Sequence, residues 1–160
     1  MNNSWYSVKA KFTKQLEDGR LKRVTDHFLF DSVSFTDAEA RCYEEVGSNV
    51  KGGFSITAIK KENFADIFHY EDSETWYKVK VSYLSSDADS GKEKKISHLM
   101  LVTASSVKEA TVRLLESLAD MMVTLEVLSV TKTDIVEIFP YTPDDSEGNE
   151  ADVSVEKEEA

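Results

Sequence analysis

The sequence WYSVK at residues 5–9 returns as WYKVK at residues 76–80, 71 positions later. At the same offset, FADIF at residues 64–68 falls on IVEIF at residues 135–139. Between these segments, at an offset of 72, further pairs keep step: Gly19 with Gly91, Lys22 with Lys94, Leu29 with Leu101, Ala38 with Ala110, and Arg41 with Arg113. Self-similarity at one fixed period is typical of a duplicated architecture. We therefore predict that the chain is a tandem duplication.

The duplication divides the chain into a first repeat, residues 1–72, and a second repeat, residues 73–141. A unit of roughly 70 residues buries little surface and is marginally stable alone. We therefore expect the two repeats to pack together as one domain. Residues 142–160 hold glycine, serine and many acids but few apolar side chains, which predicts a disordered acidic tail.

The net charge argues against one class of function. The 160 residues carry a formal charge of −11, and residues 141–160 account for −7 of it, with eight acids against one lysine. Residues 1–140 therefore carry only −4. A protein that binds duplex DNA strongly shows a clear basic excess, which this chain lacks. A local basic face remains compatible with the composition.

Each repeat has the pattern strand, strand, helix, strand, with a short fourth strand. In the first strand apolar residues alternate with Trp5, Lys9 and Lys11, and its copy repeats the alternation. One face of each sheet is therefore predicted to be core, and the other carries tryptophan and lysine. We predict an α+β fold of two fused ββαβ units, each an antiparallel sheet covered by one helix and related by a pseudo-two-fold axis.

Local signals mark the turns and the helix starts. Gly19 and Gly91 stand where a hairpin needs a positive φ. Ser34 precedes Asp37 by three residues, as Ser106 precedes Glu109, which predicts a capped helix start in each repeat. The predicted helices each carry one apolar stripe, formed by Phe35, Ala38, Cys42 and Val46 and by Val107, Ala110, Leu114 and Leu118.

These motifs, with the helical AEAR at residues 38–41 and the terminal EIFP at residues 137–140, carry a resemblance. Over about residues 4–141 the chain resembles a domain-of-unknown-function family found in Bacteroidetes chromosomes and in phages that infect those bacteria. The resemblance implies a cytoplasmic protein of a bacterium or an infected cell. It implies no catalytic residue.

Motifs of known enzymes are missing from the sequence. It holds no P-loop, dinucleotide fingerprint, zinc-protease helix or serine-hydrolase elbow. Cys42 is the only cysteine, lies on the apolar helix stripe and is interpreted as a core residue. His27, His69 and His98 have no metal-ligand spacing and are interpreted as surface positions on strands. We expect no cofactor, no metal and no membrane segment, since no apolar run approaches about 18 residues.

The face opposite the apolar rows is the candidate site. Aromatic rings among cations suit single-stranded nucleic acid, because bases stack on rings and phosphates attract lysine and arginine. The predicted nucleic-acid-binding residues are Trp5, Lys9, Lys11, Lys22, Arg23, Trp76, Lys78, Lys80, Lys94 and Lys95. The acidic tail would compete for this face and, once displaced, recruit partner proteins. The preferred hypothesis is an accessory, non-catalytic protein that holds single strands.

Two alternatives remain open from the sequence. Trp5 and Trp76 begin their strands, where a ring often packs against a partner unit, and Leu29 and Leu101 share their face. In that case the tryptophans belong to the core between the repeats. The protein would then be a scaffold for protein contacts, or a small-molecule binder or enzyme without a recognisable motif.

Overall fold

The computed structural model describes residues 3–86 and 89–141, so the predicted tail lies outside the described residues. The first repeat contains β1 (Ser4–Gln15), β2 (Leu21–Ser32), α1 (Phe35–Glu45), a 3₁₀ turn (Gly47–Asn49), β3 (Phe54–Glu62) and β4 (Phe64–Phe68). The second contains β5 (Trp76–Ser86), β6 (Glu93–Thr103), α2 (Val107–Ser117), β7 (Glu126–Lys132) and β8 (Ile135–Phe139). The predicted element order of each repeat, including the short fourth strand, is confirmed.

The strands form two four-stranded sheets. The first sheet has the order β3-β1-β2-β8 and the second the order β7-β5-β6-β4. β1 and β2 form an uninterrupted antiparallel hairpin from Ser4↔Ser32 to Gln15↔Leu21. Gly19 and Gly91 have positive φ values of 86° and 70°, as their hairpin turns require. The sheets therefore share one strand order, with the element numbers shifted by four.

One helix packs on one face of each sheet. The first core cluster joins β1 and β2 to α1, and consists of Tyr6, Val8, Ala10, Phe12, Phe28, Phe30, Ala38 and Cys42. The second joins β5 and β6 to α2, with Tyr77, Val79, Val81, Met100, Val102, Ala104, Ala110, Leu114 and Leu118. These clusters contain the apolar strand rows that alternation predicts and most of the predicted helix stripes. Phe35 and Val107, the first members of those stripes, are instead 51% and 52% exposed. Cys42 is fully buried, which confirms a core cysteine, and its burial raises the pKa of the thiol to about 12.

Both helix starts are capped as the sequence predicts. The Ser34 hydroxyl accepts a hydrogen bond from the amide of Asp37 at 3.0 Å, and Ser106 accepts one from Glu109 at 3.1 Å. The Asp37 carboxylate in turn accepts from the Val33 amide at 3.0 Å. In the second helix the Glu109 carboxylate accepts from the residue before the cap, Ser105. Four backbone donors at the two helix starts are thereby satisfied.

The fourth strands depart from the prediction. β4 pairs with β6 of the second repeat and β8 with β2 of the first, and both pairs are parallel. Each sheet is thus antiparallel except at one edge, and each is completed by the other repeat. Only Asn63 separates β3 from β4, so β4 continues past the edge of the first sheet into the second. The fold is α+β, with two helices and two sheets that are mostly antiparallel.

A third cluster lies on the sheet faces turned away from the helices. Its buried members come from both repeats: Leu29, Trp76, Leu101 and Ile135. Trp5, Phe64, Ile67 and Ile138 are partly buried against them. The exchanged strands β4 and β8 supply four of these eight residues, so the strand exchange and the shared cluster involve the same segments. The two repeats consequently share a core, as the marginal size of each one requires.

Candidate nucleic-acid interface

The candidate cations lie mostly on the sheet faces turned away from the helices. β1 alternates without a break, so Lys9 and Lys11 point away from the buried row of Val8 and Ala10. Arg23 of β2 shares this face, and its guanidinium donates a hydrogen bond to the Thr13 hydroxyl at 3.4 Å. All three cationic side chains are exposed. They form a basic strip along the first hairpin.

The second sheet repeats the arrangement with three cations. Lys78 and Lys80 alternate with the buried Val79 and Val81, and Lys95 pairs with Leu84 on the same face. All three lysines are exposed.

Lys22 and Lys94 point the other way. Lys22 is in register with Lys14, and Lys94 with Ser85, which places both lysines on the faces that carry the helices. The structure therefore brings eight of the ten predicted residues onto the faces away from the helices and leaves these two out.

Trp76 does not offer its ring for stacking. It is 6% exposed, belongs to the cluster between the sheets, and stacks on the His69 ring with centroids 5.5 Å apart. Trp5 is partly buried against the same cluster. The alternative interpretation, in which the tryptophans pack between the repeats, therefore holds for Trp76 and holds in part for Trp5. Any nucleic acid on these faces would depend on the cations more than on stacking.

The strand lysines of the two faces have no ion pair, whereas some other cations of the chain are paired with acids. Lys14 pairs with Asp26 at 3.1 Å, Arg20 with Asp18 at 2.6 Å, and Arg113 with Asp72 at 2.7 Å. Among residues 3–86 and 89–141, Lys9, Lys11, Lys78 and Lys80 form no salt bridge within 4.0 Å. Exposed, unpaired ammonium groups on a strand face are free to bind an anion.

Sequence reasoning missed a hydrogen-bonded chain that crosses between the repeats. His27 donates from Nδ1 to the Asp134 carboxylate at 2.7 Å, while its Nε2 bonds the Ser7 hydroxyl. This bond lowers the pKa of Asp134, and the positive charge of Lys9 adds to the effect. His27 is therefore a half-buried link rather than a surface position. No sequence signal could have shown it, because Asp134 lies 107 residues away.

The order serine, histidine, aspartate is that of a hydrolase triad, but the surroundings do not suit catalysis. The Ser7 side chain is 7% exposed in the middle of a paired strand. Its neighbouring backbone amides lie within the ladder, so they are not free to stabilise an oxyanion. Neither Ser7 nor His27 lines any of five well-formed cavities in the described part of the chain. We interpret the chain of bonds as a tie between the repeats.

A protein-family model matches nearly all of the described chain. The model described as a domain of unknown function, DUF4494, matches residues 4–141. The chain belongs to the DUF4494 family. Neither a search of curated proteins nor a search of solved structures gave a match. DUF4494 membership therefore covers both repeats and assigns them no activity.

Two features are absent from the described residues of this DUF4494 chain. In the part that the structure describes, no helix is long and apolar enough to cross a membrane. No group of three or more histidine, cysteine, aspartate or glutamate side chains within these same residues is arranged to hold a metal ion.

Proposed function

We propose that the protein is a non-catalytic module that binds single-stranded nucleic acid through its phosphates. The observation that carries the proposal is the set of exposed, unpaired lysines on β1 and β5: Lys9, Lys11, Lys78 and Lys80. Phosphate contacts supply most of the affinity of sequence-independent binding. With Trp76 buried, stacking adds little, so the binding should be weakly selective for sequence and strongly dependent on salt.

We also infer that the two repeats arose by duplication and are related by a pseudo-two-fold axis. The matching strand orders and the reciprocal parallel pairs of β4 and β8 support this inference. A duplicated face can bind a flexible strand at two places, which strengthens binding without a new kind of interaction. A role in DNA or RNA metabolism remains a prediction made from the lysine faces, and an origin in Bacteroidetes or their phages remains the prediction made from the resemblance.

The test is titration of the whole protein into labelled single-stranded oligonucleotides at several salt concentrations, followed by fluorescence anisotropy. Replacing Lys9, Lys11, Lys78 and Lys80 together by glutamine should weaken binding and flatten the salt dependence. The slope of log K against log salt should fall by about 0.7 for each phosphate that the variant no longer neutralises. Folding should persist, because these side chains point away from the helix-side cores.

A control with the same change in net charge replaces four other exposed lysines: Lys22, Lys51, Lys94 and Lys108. It should bind nearly as well as the unaltered protein. Equal weakening in both variants would mean that only net charge matters. If the intact protein does not bind single strands at low salt, the proposed function is wrong.

One observation favours the scaffold alternative. The outer side of α2 exposes Val112 and Leu115, and Met122 beyond its end is 98% exposed. A contiguous patch of exposed apolar side chains is typical of a surface that binds another protein. Failure to bind nucleic acid, combined with self-association that Leu115→Glu abolishes in sedimentation experiments, would favour this alternative.

A further inference from the structure

The lysine faces of the two sheets are not equivalent. A small cleft of about 210 Å³ opens on the second sheet, and its lining includes Asn63, Lys80 and Ser97. Lys80 is in register with Leu99, and Ser97 lies two residues before Leu99 on the same face. Asn63 reaches the cleft from the first repeat, at the single-residue link between β3 and β4. The cleft therefore exists only because the strands are exchanged.

The cleft presents hydrogen-bond donors. Lys80 contributes an ammonium, Asn63 a side-chain amide and Ser97 a hydroxyl. Within the described residues none of these three side chains makes a hydrogen bond or an ion pair, and none of the six lining residues is acidic. The volume of about 210 Å³ leaves room for one phosphate group.

The corresponding place in the first sheet has a different charge. Lys9 and Asp134 stand 71 positions from Lys80 and Asn63, so an aspartate replaces the asparagine at the link between the exchanged strands. The Asp134 carboxylate is bonded to His27 at 2.7 Å and feels the charge of Lys9. A phosphate approaching Lys9 would meet this carboxylate, whereas a phosphate approaching Lys80 meets a neutral amide.

The difference continues along the strands. Lys78 of β5 corresponds to Ser7 of β1, whose hydroxyl is already bonded to His27. The cleft thus has a second ammonium on its own strand, and its counterpart has a buried, occupied hydroxyl. The second sheet also carries an acid near this stretch of β5: Glu126 of β7 pairs with Ser82. Glu126 does not line the cleft.

We propose that the cleft of Asn63, Lys80 and Ser97 is a phosphate-binding site, and that nucleic acid is held mainly by the second sheet. The inference rests on the proposed function and assigns its strongest interaction to one repeat. In the bound state a phosphate oxygen accepts hydrogen bonds from the ammonium, the amide and the hydroxyl. Lys78 attracts the next phosphate along the strand. The first sheet binds more weakly, because Asp134 opposes the approach of a phosphate.

The test compares matched substitutions in the full chain by anisotropy with a short oligothymidylate. Lys80→Gln should weaken binding about tenfold or more, as expected when a charge-assisted hydrogen bond is removed, and Lys9→Gln should have a much smaller effect. Exchanging the link residues should act in opposite directions: Asn63→Asp should weaken binding, and Asp134→Asn should leave it unchanged or tighten it. If Asn63→Asp lowers the melting temperature, Asn63→Ala, which removes only the amide, replaces it in the comparison.

Titration with inorganic phosphate, followed by amide NMR shifts, separates the sources of the phosphate. Shifts around Lys80 and Ser97 with both phosphate and oligothymidylate are the expected result. Shifts with inorganic phosphate alone would keep the cleft as an anion site but overturn the proposed function. Oligonucleotide binding that Lys80→Gln and Lys9→Gln weaken equally would overturn the cleft and leave the proposed function standing. No shift at the cleft with either probe would also overturn the cleft.

Discussion

At the scale of single residues, equivalent positions of the two repeats make different contacts. Ser7 and Lys78 occupy the same place in their strands, yet the serine is bonded inside the tie to Asp134 and the lysine is exposed. Asn63 and Asp134 likewise occupy the same link and differ by one charge. Ser7 and Asp134 are both hydrogen-bonded to His27. In the second repeat Lys78 is exposed, and Asn63, at the link between β3 and β4, is exposed as well.

The tie should make stability depend on pH in one direction. The folded pKa of Asp134 lies below its ordinary value, so the ionised carboxylate stabilises the folded state. This contribution is complete above the unfolded pKa of about 3.9 and is lost as the pH falls through the lowered folded pKa. Asp134→Asn should therefore reduce the free energy of unfolding near neutral pH, as measured by urea denaturation, and this deficit should shrink as the pH falls below about 3.9. A deficit that stays constant as the pH is lowered through the acid range would contradict the assignment.

The two tryptophans should respond differently to truncation. Trp76→Ala should cost about 3–5 kcal/mol of unfolding free energy, because it opens a cavity in the cluster between the sheets. Trp5→Ala should cost clearly less, since its ring is only partly buried. Thermal and urea unfolding of both variants measures the difference. Equal small costs would mean that the cluster does not hold the repeats together.

At the scale of elements, the helix starts are the most predictable features of the chain, and they give a test. Ser34→Ala and Ser106→Ala should each cost about 1 kcal/mol, because each change removes one hydrogen bond to a backbone amide of its helix. Chemical denaturation measures this cost, and Thr36→Ala, on an exposed neighbouring position, is the control. A cost no larger than that of the control would exclude a stabilising cap.

Local chemistry explains how far the sequence could predict these elements. Hairpin glycines, capping serines and apolar periodicity act within a few residues, so Gly19, Ser34 and the row from Tyr6 to Phe12 could be recognised directly. The pattern of residues 64–68 predicts a strand but not its neighbour, and that neighbour proved to be β6. The candidate site could be predicted only in part. Strand alternation predicts on which face Lys9 or Lys80 lies, but the bond chain through Asp134 depends on the exchange of strands between the repeats.

At the scale of the whole molecule, the strand exchange follows from chain length. In the order β3-β1-β2-β8, the place beside β2 lies three strand spacings from β3, about 14 Å. Asn63 alone links β3 to β4, and two Cα steps reach at most about 7.6 Å. β4 therefore cannot complete its own sheet. The same holds for β8, since three Cα steps from β7 span at most about 11 Å.

A single repeat should accordingly fail to fold as a monomer. In residues 1–72 alone, the outer edge of β2 would be unpaired. β4 would lack its partner strand β6, and the partly buried rings of Trp5 and Phe64 would lack the surfaces they pack against. We expect this fragment to be unfolded or aggregated, and mixing it with residues 73–141 should restore a folded, one-to-one complex. Circular dichroism and sedimentation of each fragment, of the mixture and of the intact chain measure this. A fragment that is monomeric and melts sharply would show that each repeat folds without the other's strand. The shared core would then not be required for folding.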